Sequence, residues 1–303
     1  GIPASVDTVI LVDVDGVLNV GAREERSSGA ILLNDENIDF AFRLLRRGAL
    51  RPGDASEPAR RAAAELLVSM WKRKIPDEGG ATYASFLCRS PSMVSAVLVE
   101  RLARLIRLAG KQRAVVLSSS WRKQSHARKV RYLEEAISEH LGEAFTFDAA
   151  TPMVDEYTVA DRLCCLRNFV SSVCASRSGL DGIRSNRLKV LVLEDFFISA
   201  PSEWPASGSA LPELGCGFFV DSIDSAETFI RSRPADGADV SVKVVHTFDE
   251  WTSTISGLRV AVGSGLTARR TAEVQSQMRV CNARESIGMA CAVASERRPR
   301  PTW

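Results

Sequence analysis

Short, unbroken apolar runs alternate along this chain with segments in which apolar residues recur every three or four positions. The runs "TVILVDV" (8–14), "AVVL" (114–117) and "KVLVLED" (189–195) read as strands, with weaker ones at 144–147, 217–220 and 242–246. Continuous rather than alternating apolar strands predict a parallel sheet covered on both faces. Between them, 91–108 places Val94, Leu98, Leu102 and Leu105 on one helical face, and 158–174 does the same with Val159, Leu163, Leu166, Val170 and Val173. Ser90 with Pro91 reads as a cap followed by a first-turn proline, and Gly110 as the stop; Thr158 with Asp161 resembles a capping box. The predicted fold class is therefore α/β, a doubly wound parallel sheet.

Residues 20–90 interrupt this rhythm with a charged start, a turn-rich patch at 46–58 and two helical segments at 36–47 and 58–73. They read as a mainly helical insert after the first strand. The predicted organisation is an α/β core over 1–19 and 91–284, the insert over 20–90, and a flexible tail over 285–303. A loosely structured stretch is also expected at 199–215.

The first strand runs straight into Asp13-Val14-Asp15-Gly16-Val17. Ligands of α/β sheets bind at the carboxyl ends of strands, so two carboxylates two residues apart there can face one small site. One can attack an electrophile and the other can carry a proton. Gly16 allows the tight bend that brings backbone close to a ligand. Two further strands end on polar groups: Ser118, Ser119 and Ser120 after 114–117, and Glu194 with Asp195 after 189–193. A serine run after a strand is commonly only a turn or helix cap, and an acid there a helix N-cap. The order of all three along one chain is what favours a shared site.

The segments "DVDGVLN", "LSSSWR" and "LED" resemble the motifs of the haloacid dehalogenase (HAD) superfamily, in particular its compact members and the HAD domains of RNA-repair polyproteins. The likeness covers 8–20 and 91–198, and "GSGLT" (263–267) resembles the terminal element of that group. It implies a HAD-like Rossmannoid core and a Mg2+-dependent phosphomonoester hydrolase working through an aspartyl-phosphate. Asp13 would be the nucleophile and Asp15 the acid and base. Ser118, Ser119 and Arg162 would hold phosphate, with Arg167, Lys123 and Lys189 as competitors of Arg162. Asp13, Glu194, Asp195 and the backbone carbonyl of Asp15 would hold Mg2+. The insert lies where the family places a C1 cap. The substrate would be a phosphorylated small molecule or a nucleic-acid end. Rival readings are an RNA-end phosphatase, suggested by the basic stretch Arg122, Lys123, His126, Arg128, Lys129 and Arg131, and an inactive HAD-like scaffold.

Composition changes this picture little. A net charge of +2 over 303 residues argues neither for nucleic acid nor for an anionic membrane. Seven cysteines without a C-x-x-C pair predict reduced thiols and an intracellular, cytoplasmic compartment. No run of about 18 apolar residues predicts a membrane span. The chain opens on Gly1 rather than Met, which leaves room for a trimmed targeting segment. Trp121 reads as a packing residue or a base-stacking platform.

Overall fold

In chain order the strands are β1 (Thr8–Val12), β2 (Gly21–Glu24), β3 (Ile31–Leu32), β4 (Arg113–Leu117), β5 (Ala149–Ala150), β6 (Arg187–Glu194), β7 (Asp239–His246), β8 (Phe248–Thr252) and β9 (Arg259–Gly263). The helices are α1 (Asp35–Arg47), α2 (Glu57–Lys72), α3 (Ala96–Leu108), α4 (Ala127–Leu141), α5 (Val159–Ala175) and α6 (Ile223–Arg231). A further helical stretch covers 268–278. This computed structural model describes residues 1–24, 30–47, 57–153, 159–177, 187–196, 222–232, 239–253 and 257–278. The strand expected at 217–220, the loose stretch at 199–215, Thr158 and the tail at 285–303 lie outside the described residues.

Five strands form an all-parallel sheet in the order β5-β4-β1-β6-β7. All five residues of β1, its central strand, are buried. Successive side chains point to opposite faces of a strand, so a continuous apolar run feeds two cores. Ile10, Val12, Val115, Leu117, Leu191 and Leu193 join Leu98, Leu102 and Leu105 of α3 and Leu133 and Ile137 of α4. Val9, Leu11, Val116, Val190, Val192 and Val242 join Leu163, Leu166 and Val170 of α5 and Phe229 and Ile230 of α6 on the other face. Each such fully buried aliphatic side chain contributes about 1.5–3 kcal/mol. An exposed pair such as Arg43–Asp39 on α1 contributes about 0–1 kcal/mol, so the apolar layers dominate.

The expected doubly wound α/β fold is present, and α1, α2, α3, α5 and β7 lie close to where the pattern places them. Three details differ. First, α3 begins at Ala96, with Ser95 as its N-cap, rather than at Pro91. Arg89 and Val94 bridge to each other, Met93 takes a left-handed φ of 57°, and the Ser95 amide donates to the Leu18 carbonyl at 2.8 Å. Those bonds hold 89–95 as a turn against the loop after β1.

Second, residues 144–147 are not a strand. The Phe145 amide donates to Ser138 Oγ at 2.9 Å and the Phe147 amide to Glu134 Oε1 at 3.0 Å. The side chains of α4 thus take the backbone donors that a sheet ladder would need, and pairing with β4 is confined to Ala149–Ala150. Third, residues 20–90 contribute strands as well as helices. β2 and β3 belong to a four-stranded antiparallel sheet, β3-β2-β9-β8, whose other half comes from the C-terminal part of the chain. Ala22, Val260 and Val262 face inward from it onto the core shared by α1, α2 and α3. Among the described residues, no helix is long and apolar enough to cross a membrane, and Cys88, Cys164, Cys165 and Cys174 form no disulfide.

Candidate functional site

Parallel pairing of β1 with β4 and β6 puts the ends of all three strands at one edge of the sheet. Asp13 follows β1, Ser118 follows β4, and Glu194 closes β6 with Asp195 behind it. One oxygen from each of Asp13, Glu194 and Asp195 lies within 4.8 Å of the others, a group that could hold a metal ion. The donors are all carboxylate oxygens, which suits a hard divalent cation.

Close approach of backbone makes this cluster possible. Gly16 has a φ of +79°, and a Cβ there would sit 2.0 Å from Asp195 Oδ2. A Cβ on Gly263, at the end of β9, would sit 2.2 Å from the Gly16 Cα. The segment 263–267 packs directly on the loop after β1: the Gly265 amide donates to the Gly16 carbonyl at 2.9 Å, and the Leu266 amide to the Val17 carbonyl at 3.1 Å. Thr247 Oγ1 also donates to the Gly16 carbonyl, at 2.9 Å.

Arg162, in the first turn of α5, is the cation bonded to the acidic cluster. Its Nε and Nη2 donate to Glu194 Oε2 at 2.9 and 2.6 Å, and Nη2 also donates to the Ser118 carbonyl. The two side chains are 9% and 5% exposed. Burial opposes the guanidinium charge, but Glu194 and Asp13 outweigh it and hold Arg162 protonated. Of its competitors, Arg167 lies over the Phe229 ring at 4.3 Å, between α5 and α6, and Lys189 sits near the opposite end of β6. Three carboxylates against one guanidinium leave an excess of two negative charges if all ionise. Burial first, then the charges of Glu194 and Asp195, push the Asp13 carboxyl well above the usual carboxylate range, against the opposing pull of Arg162. Burial, with Glu194 and Asp15, pushes Asp195 up to about 8.

The Asp15 carboxylate stands outside this group and is exposed. It accepts from Asn19 Nδ2 at 2.9 Å, from Trp121 Nε1 at 3.1 and 3.2 Å to its two oxygens, and from Ser120 Oγ at 3.4 Å. Asn19 Oδ1 in turn accepts from the Gly16 amide at 2.9 Å, which fixes the turn. Neither Asn19 nor Trp121 was expected to touch Asp15. Asn19, four residues on in the same loop, is the one that local spacing could have found.

The serines are placed differently from expectation. Ser118 and Ser119 are both buried. Ser118 Oγ shares a hydrogen bond with Thr151 Oγ1 at 3.1 Å, and Ser119 hydrogen-bonds Asp13 and accepts weakly from the Trp121 amide at 3.4 Å. Ser120 is the one that faces the cavity. The chain turns sharply into a short 3-10 helix at Ser120–Arg122, which rotates the first two hydroxyls into the protein. Arg122 holds that turn to the next loop, donating to the Ser119, Thr151 and Pro152 carbonyls at 2.6, 2.9 and 2.6 Å.

A cavity of about 610 Å³ opens over the cluster. Asp13, Asp15, Arg162, Glu194 and Asp195 line its floor, while residues of β2, β3, β8 and β9 form a facing wall. That wall joins the 20–90 segment to the C-terminal strands. No protein-family model, curated protein or solved structure matched this chain in the comparisons with known proteins, so no family is assigned to it on those grounds.

Proposed function

We propose that this protein is a Mg2+-dependent phosphomonoester hydrolase of the HAD type. The observation that carries the reading is the charge imbalance at the strand ends. Three clustered carboxylates share one guanidinium beneath a cavity large enough for an organic phosphate. A bound Mg2+ would be held by Asp13, Glu194 and Asp195 and would neutralise charge on nucleophile and phosphate.

The remaining chemistry falls to the chain itself. A carboxylate oxygen of Asp13 attacks phosphorus while the bond to the leaving oxygen breaks, giving an aspartyl-phosphate. Asp15, which lines the cavity, delivers its proton to the departing oxygen. It then takes a proton from the water that attacks the same phosphorus, which releases phosphate and restores Asp13. Arg162 steadies Glu194 and the charge that develops above it. The Ser120 hydroxyl, rather than those of Ser118 and Ser119, is the serine group available to a phosphoryl oxygen.

The test is phosphate release from phenyl phosphate with Mg2+ and with chelator, alongside thermal unfolding in both. Metal-dependent release together with metal-induced stabilisation is expected. Stabilisation without turnover of any phosphoester would favour an inactive scaffold, and neither effect would overturn the reading. An oligonucleotide 3′- or 5′-phosphate preferred over phenyl phosphate, with strong salt dependence, would mark a nucleic-acid-end phosphatase.

Trp121 gives a second test. Its indole N–H fixes the carboxylate assigned as the general acid, so Trp121→Phe should cost most where protonation of the leaving group matters most. We expect kcat on an alkyl phosphate to fall about tenfold, against about twofold or less on 4-nitrophenyl phosphate, whose leaving group needs little protonation. An equal fall on both would mean that Trp121 serves only to pack the loop.

A further inference from the structure

The wall facing the acidic cluster is graded along its strands. β2 pairs with β9 through Gly21↔Gly263 and Arg23↔Ala261, and β9 pairs with β8 through Phe248↔Gly263. Period-two alternation therefore gives one face to Gly21, Arg23, Ala261, Gly263 and Phe248, all of which line the cavity. Ala22, Val260 and Val262, on the other face, are buried in the core. The glycine end touches the catalytic floor, since a Cβ on Gly263 would strike the Gly16 Cα. Arg23 stands two residues further out, about 7 Å along the strand.

Arg23 is exposed, and its side chain has no ion-pair or hydrogen-bond partner among the described residues. The nearest acid across Ala261, Glu250, is already paired with Arg259. Arg23 shares the cavity lining with the acids and with the apolar side chains of Phe196, Phe248, Leu32 and Val159. Phe248 is stacked on His246 with ring centroids 5.7 Å apart, which fixes a flat surface in the cavity. Inorganic phosphate alone would leave most of the 610 Å³ unfilled.

We propose that Arg23 is a specificity-determining residue that receives a second anionic group, carboxylate or phosphate, on an organic phosphomonoester whose flat or apolar middle lies against Phe248. This rests on the phosphohydrolase reading for the identity of the transferred group. Arg23 lines the same cavity as Asp13 and Arg162, so a substrate spanning both would carry two anionic groups. The guanidinium offers paired N–H donors for such a group, and partial exposure moderates the gain.

The probes are 4-carboxyphenyl phosphate and phenyl phosphate, compared by kcat/KM in Mg2+ and by calorimetric binding to the full chain. The wild type is expected to favour the carboxylated probe about tenfold. In Arg23→Gln that ratio should collapse toward one. In Arg23→Glu the preference should pass to 4-(aminomethyl)phenyl phosphate. Arg43→Gln, on the exposed face of α1, should leave the ratio unchanged. Turnover of phenyl phosphate with no advantage for the carboxylated probe, or an advantage that survives in Arg23→Gln, would overturn the Arg23 proposal while leaving the hydrolase reading intact. Arg23-dependent binding without turnover would do the reverse. No binding of either probe would remove both.

Discussion

Asp13→Asn is expected to lose phosphatase turnover by about 10³-fold or more while making the metal-free protein more stable. The first effect follows from removing the attacking oxygen, since an amide cannot replace it as a nucleophile. The second follows from geometry. Asp13 is buried within 4.8 Å of Glu194 and Asp195, with the guanidinium of Arg162 bonded to the cluster. Removing one charge relieves repulsion that burial does not screen, by on the order of 1 kcal/mol. Burial, together with the same imbalance, gives the metal-free wild type a pH dependence. Asp195 is raised to about 8 from its ordinary 3.8, so between those values the folded state holds a proton that the unfolded chain releases. Stability in chelator should therefore fall as pH rises from about 4 to about 8, and saturating Mg2+ should reverse that fall near pH 8 by binding the deprotonated cluster. Melting curves of both proteins at pH 5 and pH 8, with and without Mg2+, measure each of these. A wild-type melting temperature in chelator that does not change over this range, or a less stable Asp13→Asn, would mean that the cluster is not held under repulsion.

Arg162→Met should be the most destabilising single change at the site, costing about 3–5 kcal/mol in the metal-free protein. The cost is the charge left behind. Glu194 is 5% exposed and takes two N–H donors from Arg162. Without them a buried carboxylate faces Asp13 and Asp195 with no counter-charge. Methionine fills similar volume, so lost packing contributes little. Arg162→Lys keeps the charge but not the planar pair of donors, and its cost should be intermediate. Mg2+ should recover part of the loss in Arg162→Met, because the ion supplies positive charge to the same carboxylates. Urea unfolding in chelator and in Mg2+ reads both numbers. A loss below about 1 kcal/mol in chelator would show that Glu194 is neutral or relaxes into water, and would remove Arg162 as the balancing group.

Much of the core was legible because its signals are local. The apolar runs 9–12 and 190–193 point to strands covered on both faces, and the helical periodicity of 96–108 and 159–175 supplies the cover. Parallel pairing then sends every strand end to one edge, which brings the acids after β1 and β6 together. Arg162 is implied by the resemblance alone, and in the fold its guanidinium donates to Glu194. Whether a given strand end points into the cavity or into the protein is not local. Ser118 and Ser119 turn inward because the 3-10 turn at Ser120–Arg122 is held to 151–152 by Arg122, more than 25 residues ahead in sequence. Residues 144–147 carry strand-like composition, yet Ser138 and Glu134 of α4 claim their amides.

The antiparallel wall was the least visible element. β2, β3, β8 and β9 are two to five residues long, and the pairing of β2 with β9 closes about 240 residues of chain. Sequence by itself thus determined the layered α/β core and the acids at its strand ends, because burial and periodicity act within a few residues. Only the tertiary structure decided which hydroxyl faces the cavity, what holds Asp15, and that Arg23 lines the same cavity as the acids. Those depend on contacts between residues far apart in the chain, whose free energy is gained only once the sheets have formed.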